Sequence, residues 1–265
     1  MPSLNDNDLW TLARDKRVKQ RVIAAQTIDA PEAVLAHLVN DSSPAVRRVL
    51  AARDDLRTRA TLQLLAHDSD LKTRQALVAN PACPAEILLK LVNDPHWSVR
   101  WSLPSHPEVN SVVRQAICQS SDDDLRRLQA EQADLDHETA LVLLSDTSAT
   151  VRAALAAHTT YPDILGVLLQ EQSEEVRAGA AQNRLTTSEQ RHVLARDRSA
   201  LVRANLLKFV ELEEEDLRLL AVDRSVNVRW WLATWPDTPT SILHILAQDS
   251  NAEVASQAVA ALQAR

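Results

Sequence analysis

Residues 79–103 read ANPACPAEILLKLVNDPHWSVRWSL, and they contain one complete repeating unit. Asn80-Pro81 ends the preceding helix, because proline disfavours helical geometry in the residue before it. Pro84 lies where proline is tolerated, in the first turn of a new helix. Apolar residues then recur on one helical face, and after a short linker a second apolar face begins at Val99. The stretch therefore predicts two short antiparallel helices, called here the first and the second helix.

This unit recurs about every 26 residues, and its marker is an acidic residue followed five positions later by Val-Arg. The marker occurs at Asp41/Val46-Arg47, Asp94/Val99-Arg100, Asp146/Val151-Arg152, Glu171/Val176-Arg177, Asp197/Val202-Arg203 and Asp223/Val228-Arg229. A fixed period of this length is typical of stacked supersecondary units rather than of a globule with one core. We therefore predict an all-α fold, an α-solenoid of about ten two-helix repeats, with residues 1–265 as a single domain.

Three segments depart from the regular pattern. Residues 1–25 are predicted to form an N-terminal capping repeat, and residues 250–265 a C-terminal capping helix. Residues 107–132 are the weakest repeat, where the acid, the Val and the core Leu are replaced by Ser120, Leu125 and Gln129. We expect a bend or a loosened joint in this repeat, unless the side chain of Gln129 simply turns outward.

Composition limits the classes of function. The 265 residues are 45% hydrophobic and carry a net charge of -7, which argues against general affinity for nucleic acid. No apolar run approaches the ~20 residues of a membrane span, and the start lacks a signal-peptide pattern. We therefore expect a cytoplasmic monomer that binds no membrane. Two cysteines are too few for a disulfide framework, and two glycines are too few for a glycine-rich phosphate loop.

The repeat resembles that of the leucine-rich repeat variant family of bacteria, in the pattern A-x-N-P-x-x-P followed by L-L-x-x-L-x-x-D-x-x-x-x-V-R. The residues that carry the likeness are Ala79, Asn80, Pro81, Pro84, Leu88, Leu89, Leu91, Asp94, Val99 and Arg100, with their equivalents in most other units. The resemblance implies a right-handed superhelix, related in style to HEAT and armadillo stacks. Some members carry an amino-terminal iron–sulfur module, but no cysteine precedes Cys83 here, so no cofactor is carried over. The resemblance implies no catalytic activity.

One column of the repeat holds arginine. It contains Arg47, Arg74, Arg100, Arg126, Arg152, Arg177, Arg203 and Arg229, while Gln20 and Ala255 occupy it in the first and last units. Such a column could follow an anionic polymer. We favour a structural interpretation, in which each Arg pairs with an acid across the inter-helix turn and the acid caps the second helix. The predicted structural ladder comprises Asp41, Arg47, Asp94, Arg100, Asp146, Arg152, Asp197, Arg203, Asp223 and Arg229.

A second column, two positions beyond the Val, mixes polar, small and Trp residues and does not look like core. It predicts an accessible stripe on the second helix, which lines the concave side of related stacks. Exposed Trp is favoured in binding sites, and an alanine track bracketed by Trp could seat a helix or an extended peptide. Alternatively, Trp fills a gap left by curvature. The predicted partner contacts are Trp101, Arg127, Ala153, Ala178, Ala204, Trp230 and Trp231.

These patterns predict a non-catalytic scaffold that binds a protein or peptide partner on the concave face. No His pair has the spacing of a zinc site on one helix, so neither a metal nor a catalytic residue is predicted. One alternative is a HEAT-like DNA-binding protein, such as a DNA glycosylase, although the acidic balance argues against it and no catalytic Asp can be aligned. Another alternative is a structural spacer or assembly component.

Overall fold

The structure is a computed structural model that describes residues 5–56, 58–207 and 212–265. Across these residues the chain forms 20 α-helices and no strand. The helices are α1 Asp6–Ala13, α2 Val18–Gln26, α3 Glu32–Leu38, α4 Pro44–Ala51, α5 Arg59–Ala66, α6 Leu71–Val78, α7 Ala85–Leu91, α8 Trp97–Arg100, α9 Ser111–Cys118, α10 Asp123–Ala130, α11 His137–Leu144, α12 Ala149–His158, α13 Pro162–Leu168, α14 Glu174–Ala181, α15 Ser188–Leu194, α16 Ala200–Leu206, α17 Glu214–Ala221, α18 Val226–Thr234, α19 Thr240–Leu246 and α20 Ala252–Gln263. They form consecutive pairs of first (odd-numbered) and second (even-numbered) helices, which confirms the predicted all-α repeat fold.

The chain divides into two compact units, Met1–Leu125 and Arg126–Arg265. In the first unit, the second helices α2, α4, α6 and α8 pack on one another in sequence order, and α1 packs on α3, α5 on α7 and α7 on α9. In the second unit, α12, α14, α16, α18 and α20 pack in the same way, with α11 on α13 and α17 on α19. Each unit is therefore a two-layer stack of helices. The boundary falls inside the weak repeat 107–132, whose bend stays a prediction, as does the single domain.

The core of each unit is built from the Val and Leu columns of the second helices. Val46, Leu155 and Leu232 are at most 1% exposed, because each faces the neighbouring helices of its unit. Gln129 occupies the Leu column in α10 and is also fully buried. The expectation that its side chain could turn outward is therefore wrong. Neither its Nε2 nor its Oε1 has a hydrogen-bond partner among the described residues.

Helix starts follow the local sequence. Pro31, Pro84 and Pro239 are the N-cap residues of α3, α7 and α19, and Pro162 is the first residue of α13. Proline suits these positions because no helical N–H is lost there. Most second helices begin after a Ser or Asn N-cap residue, for example Ser43 before α4. These starts place the acidic residue of each repeat two positions before the N-cap.

Candidate protein-binding surface

Nine arginines join consecutive repeats in a ladder of ion pairs. The pairs are Arg21–Asp41, Arg47–Asp68, Arg74–Asp94, Arg100–Asp122, Arg126–Asp146, Arg152–Glu171, Arg177–Asp197, Arg203–Asp223 and Arg229–Asp249. In Arg203, Nε and Nη2 donate to the two carboxylate oxygens of Asp223 at 2.6 and 2.8 Å. Such bidentate pairs use the planar guanidinium fully. The Arg column is thus occupied by contacts within the protein.

Eight of the ladder arginines also donate to the backbone of their own repeat: Arg21, Arg47, Arg74, Arg100, Arg152, Arg177, Arg203 and Arg229. Arg203 Nη1 donates to the carbonyl oxygen of Asp197 at 2.6 Å, and Arg47 Nη1 donates to that of Asp41 at 2.6 Å. The expected pairing of Arg with the carboxylate of its own repeat is therefore wrong. In Arg203, the carbonyl of the preceding acid accepts from Nη1, and the carboxylate of the next repeat accepts from Nε and Nη2. The ladder consequently ties neighbouring repeats together.

Two positions of the predicted ladder also change. Arg21, rather than Gln20, holds the arginine position of the first repeat, since Arg21 Nε donates to Asp41 at 2.6 Å. The assignment of Gln20 to the column was wrong by one residue. In the weak repeat, Ser120 stands at the position where the other repeats have an acid. Asp122 supplies the carboxylate instead, and it accepts from Arg100 at 2.7 Å. A two-residue shift of the acid hid this pair from the regular spacing.

Asp197 and Asp223 lie just before α16 and α18, and each accepts from the N–H of the N-cap residue rather than from an N–H of the helix itself. Asp197 Oδ1 accepts from the N–H of Ser199 at 2.8 Å, and Asp223 Oδ1 accepts from Ser225 at 2.7 Å. Burial by itself would raise the pKa of Asp197 and Asp223, but the hydrogen bonds from the paired Arg and from the Ser N–H outweigh it. The net pKa of both carboxyls is below its ordinary value. They stay charged and paired near neutral pH.

The alanines of the predicted contact stripe are not all accessible. Ala178 and Ala204 are each only 3% exposed, and Ala153 is half-buried. The cause is the close approach of the second helices, which is seen beside Gly179: a Cβ at that position would come 2.3 Å from the carbonyl oxygen of Ala153. The expectation that Ala178 and Ala204 line an open track is therefore wrong, and small residues here permit packing of backbone on backbone.

An aromatic cluster in the first unit does reach the surface. Trp97 is 53% exposed, and its ring packs on Trp101 with centroids 4.8 Å apart and on His96 at 5.5 Å. Trp101 is half-buried against the core, and its Nε1 donates to Asp122 at 3.2 Å. Trp97 begins the second helix α8 and Trp101 is its C-cap residue, and this four-residue spacing signalled the cluster. The predicted contacts nevertheless left Trp97 out.

In the second unit, the predicted contacts Trp230 and Trp231 pack edge to face, with ring centroids 5.2 Å apart, and both are half-buried. The Nε1 atom of Trp230 is buried without a hydrogen-bond partner among the described residues. Arg127 is half-buried and forms an ion pair with Glu131, one helical turn away. Trp230 is thus packed as well as partly accessible.

Comparison with solved structures gives the fold. A structure described as a leucine-rich repeat variant with a novel repetitive protein structural motif is similar over 77% of this chain and 81% of the other, with a TM-score of 0.53 and 24% sequence identity. The chain has the leucine-rich repeat variant fold. An engineered protein is also similar (TM-score 0.18, 16% identity, 98% of each chain), as is a designed armadillo repeat protein in complex with the peptide (KR)4 (TM-score 0.14, 17% identity, 98% and 90%). Their TM-scores are too low to support an argument. No family model matches the sequence, and neither does any curated protein.

The leucine-rich repeat variant fold is held by a second network that the sequence did not predict. It lies at the ends of two second helices, α4 and α12. Asn80 Nδ2 donates to Ala51 and Arg53 of the preceding repeat at 3.0 and 2.7 Å, and Asn183 does the same for Ala156 and Thr159 at 2.9 Å. These side chains bind the last carbonyls of the preceding second helix and the loop beyond it. Their shared position was the available signal, because each lies seven residues after the column that holds Thr73 and Val176.

Two further features of this leucine-rich repeat variant fold bear on the type of site. Among the described residues, one group of three His, Cys, Asp or Glu side chains lies close enough to share a cation, namely Asp122, Asp123 and Asp124, with oxygens within 4.8 Å of one another. Asp122 already accepts from Arg100. None of the helices in the described ranges combines the length and the apolar character needed to cross a membrane.

Proposed function

We propose that this chain is a non-catalytic scaffold that binds a protein or peptide partner through the aromatic surface of its second helices. The observation that carries the proposal is the exposure of Trp97, 53%, on top of the half-buried Trp101. A large apolar ring that stays half in water has a free-energy cost that a partner would remove. Trp is also the residue most enriched among the energetically dominant contacts of interfaces.

The surroundings of Trp97 support this role. Trp101 is fixed by its hydrogen bond to Asp122 and by core contacts, so it forms a rigid base beneath Trp97. A rigid aromatic pair loses little conformational entropy when a partner binds. Because Arg100 is bound by the carboxylate of Asp122, the charges beside the rings are already paired. The surface therefore favours an apolar anchor from the partner at its centre.

In the second unit, Trp230 and Trp231 offer a smaller aromatic surface on α18. Both rings are half-buried, and a contact there would use the edges that remain accessible. We propose this pair as an additional contact, independent of Trp97. Ala178 and Ala204 are left out, since they are enclosed by neighbouring helices.

The test compares three full-length baits in a lysate of the producing cells: the wild-type chain, Trp97→Ala and Val193→Ala. Val193 is a matched control, because it is 67% exposed on a first helix of the other unit. A protein retained by the wild type is identified, purified and titrated against each bait by calorimetry. We expect Trp97→Ala to weaken its binding at least about tenfold, with Val193→Ala and both melting temperatures unchanged. Equal binding to wild type and Trp97→Ala, or no protein retained by the wild type, contradicts the proposal.

A further inference from the structure

A groove of about 670 Å³ lies between the first two repeats. One wall follows the end of α1 and contributes Arg14, Asp15 and Lys16, while the other wall follows the end of α3 and contributes His37, Asn40 and Asp41. The groove lies beside the start of the Arg ladder. It is formed entirely by the first unit, and its lining is separate from the Trp97 surface.

The charges in this groove do not cancel. Asp15 is paired with Arg17 at 3.0 Å, and Asp41 is paired with Arg21 at 2.6 Å. Arg14 and Lys16 are both exposed, and in the described part of the chain neither forms an ion pair. Arg21 in the lining and Arg17 beside it neutralise the two carboxylates, so Arg14 and Lys16 leave two uncancelled positive charges in a chain whose net charge is -7.

The guanidinium of Arg14 is also positioned. It lies over the ring of Trp10, with its central carbon 4.5 Å from the ring centroid, and the Trp10 ring in turn contacts His37 at 5.6 Å. The stacking limits the motion of the side chain and leaves its N–H groups for an acceptor in the groove. The amide of Asn40 and the hydroxyl of Ser42 line the same space and supply neutral donors.

The repeat provides an internal comparison two units further on. An equivalent groove of about 450 Å³ is lined by His67, Asp68, Arg74, Lys90 and Asp94. Asp68 is paired with Arg47 and Asp94 with Arg74, so the negative charges of both carboxylates are again neutralised. However, the positions of Arg14 and Lys16 hold His67 and Ser69. One uncancelled cation, Lys90, remains.

A second comparison comes from the other unit. Arg196 and Arg198 flank Asp197 as Arg14 and Lys16 flank Asp15. There the excess charge is offset by two acids, because Arg196 pairs with Asp216 at 2.7 Å and with Glu215 at 3.2 Å. Arg198 donates instead to the backbone of Gln172 at 3.2 Å. Flanking cations alone therefore do not produce a positive groove, and the first groove differs by lacking the compensating acid.

We propose that the groove between the first two repeats binds a phosphate monoester, carried by a phosphorylated Ser or Thr of a partner protein. A phosphate monoester bears about two negative charges at neutral pH, which matches the two uncancelled cations. The stacked guanidinium of Arg14 presents paired donors that suit phosphate oxygens. The groove is larger than one phosphate group, which leaves room for the residues beside it in the partner segment. The proposal rests on the proposed function only in taking the partner to be a protein.

The test measures binding of a fluorescent peptide, Gly-Ala-phosphoserine-Ala-Gly, to the full-length chain by polarisation, with the unphosphorylated peptide and inorganic phosphate as further arms. We expect the phosphopeptide to bind and the unphosphorylated peptide not to bind. Lys16→Gln should weaken binding about tenfold, and Arg14→Gln by at least as much, because each removes a charge-assisted contact. Lys90→Gln, in the equivalent groove, is the matched control and should leave binding unchanged.

Each other outcome has a defined meaning. If inorganic phosphate competes as well as the phosphopeptide, the groove takes phosphate but the assignment to a partner segment is overturned. Equal weakening by Lys90→Gln and Lys16→Gln, or no binding in any arm, overturns the site itself. Lys16 is exposed, so its variant keeps the fold, and an unchanged melting temperature verifies this. Trp97→Ala should retain phosphopeptide binding, which separates a failure of this inference from a failure of the aromatic surface.

Discussion

Gly179 in α14 lies directly against the backbone of Ala153 in α12, so closely that a Cβ on Gly179 would come 2.3 Å from the carbonyl oxygen of Ala153. Backbone cannot yield as a flexible side chain can. We expect Gly179→Ala to lower the free energy of unfolding by about 1–3 kcal/mol, measured by urea denaturation, because the two helices must move apart.

The second glycine provides the control for this substitution. Gly166 is also helical, in α13, but a Cβ there meets nothing within 4 Å. Gly166→Ala should therefore stabilise the chain by about 0.5–1 kcal/mol through the higher helix propensity of alanine. If the two variants change stability in the same direction, the close approach of α12 and α14 is not the constraint that we describe.

Replacing Gln129 by Leu should stabilise the chain. Gln129 is fully buried with both polar atoms of its amide unpaired among the described residues, whereas Leu103 and Leu155 occupy the same column in the neighbouring repeats. We expect Gln129→Leu to raise the free energy of unfolding by about 1–3 kcal/mol, since a buried unsatisfied amide is removed. Gln115→Leu, on the exposed face of α9, should change it by less than about 0.5 kcal/mol. A lower melting temperature for Gln129→Leu would contradict the unpaired state of the amide.

Breaking one ladder pair should be costly. Arg203 is 5% exposed and binds both Asp223 and the carbonyl of Asp197. Arg203→Met leaves the carboxylate of Asp223 buried without its cation, and we expect a loss of about 3 kcal/mol in the free energy of unfolding. Arg198→Met is the control, because Arg198 is exposed and donates only to a backbone carbonyl. Equal effects of the two substitutions on thermal unfolding would show that the ladder does not stabilise the stack.

Acid should unfold the chain through the same ladder. The hydrogen bond from Arg229 lowers the pKa of Asp249, and the net pKa of Asp197 and Asp223 is also lowered. A carboxyl with a lowered pKa in the folded chain binds protons more readily when unfolded, so its contribution is present above the ordinary Asp value and is lost as pH falls through the folded pKa. We expect the free energy of unfolding to decline below about pH 4. In a urea titration at several pH values, Asp249→Asn should give a shallower decline, and an unchanged slope would rule out this pair as a contributor.

The two thiols should differ in reactivity. Burial raises the pKa of the Cys83 thiol to about 12, whereas Cys118 is half-buried. Because the thiolate is the reactive form, an aromatic disulfide reagent should modify Cys118 in the folded chain and Cys83 only on unfolding. Cys118→Ser should abolish the fast phase. A fast phase that survives in Cys118→Ser would mean that Cys83 is accessible.

The sequence was sufficient to predict the helix pairs, because proline before the first helix and the Val-Arg marker in the second recur with a fixed period. It could not predict the register of the ladder. In a periodic chain, the carboxylates of Asp41 and Asp68 are equally regular partners for Arg47, and the choice depends on which turn faces the guanidinium. The off-by-one position of Arg21 and the shifted Asp122 were missed for the related reason that strict spacing was assumed.

The candidate surface was predicted less well. Ala178 and Ala204 were expected to be exposed because alanine is small and weakly apolar, yet small side chains also let helices approach until they are covered. Gly179, beside Ala178, was the signal for this contact. The predicted contacts came from the column two positions beyond the Val, and Trp97 lies two positions before Val99. Trp97 was therefore missed, although it lies one helical turn from Trp101. Burial depends on the distance between helices, which a pattern along one chain does not contain.

The two-sided attachment of each ladder Arg has a consequence for how the chain can change in length. Arg177 contacts the carbonyl of Glu171 behind it and the carboxylate of Asp197 ahead of it. If residues 147–171 were deleted, Asp146 would stand six positions before Arg177 and could supply the same carbonyl while still accepting from Arg126. Duplication or loss of a whole repeat within the second unit would therefore leave each guanidinium with both of its partners. Loss of part of a repeat would leave a buried charge without one.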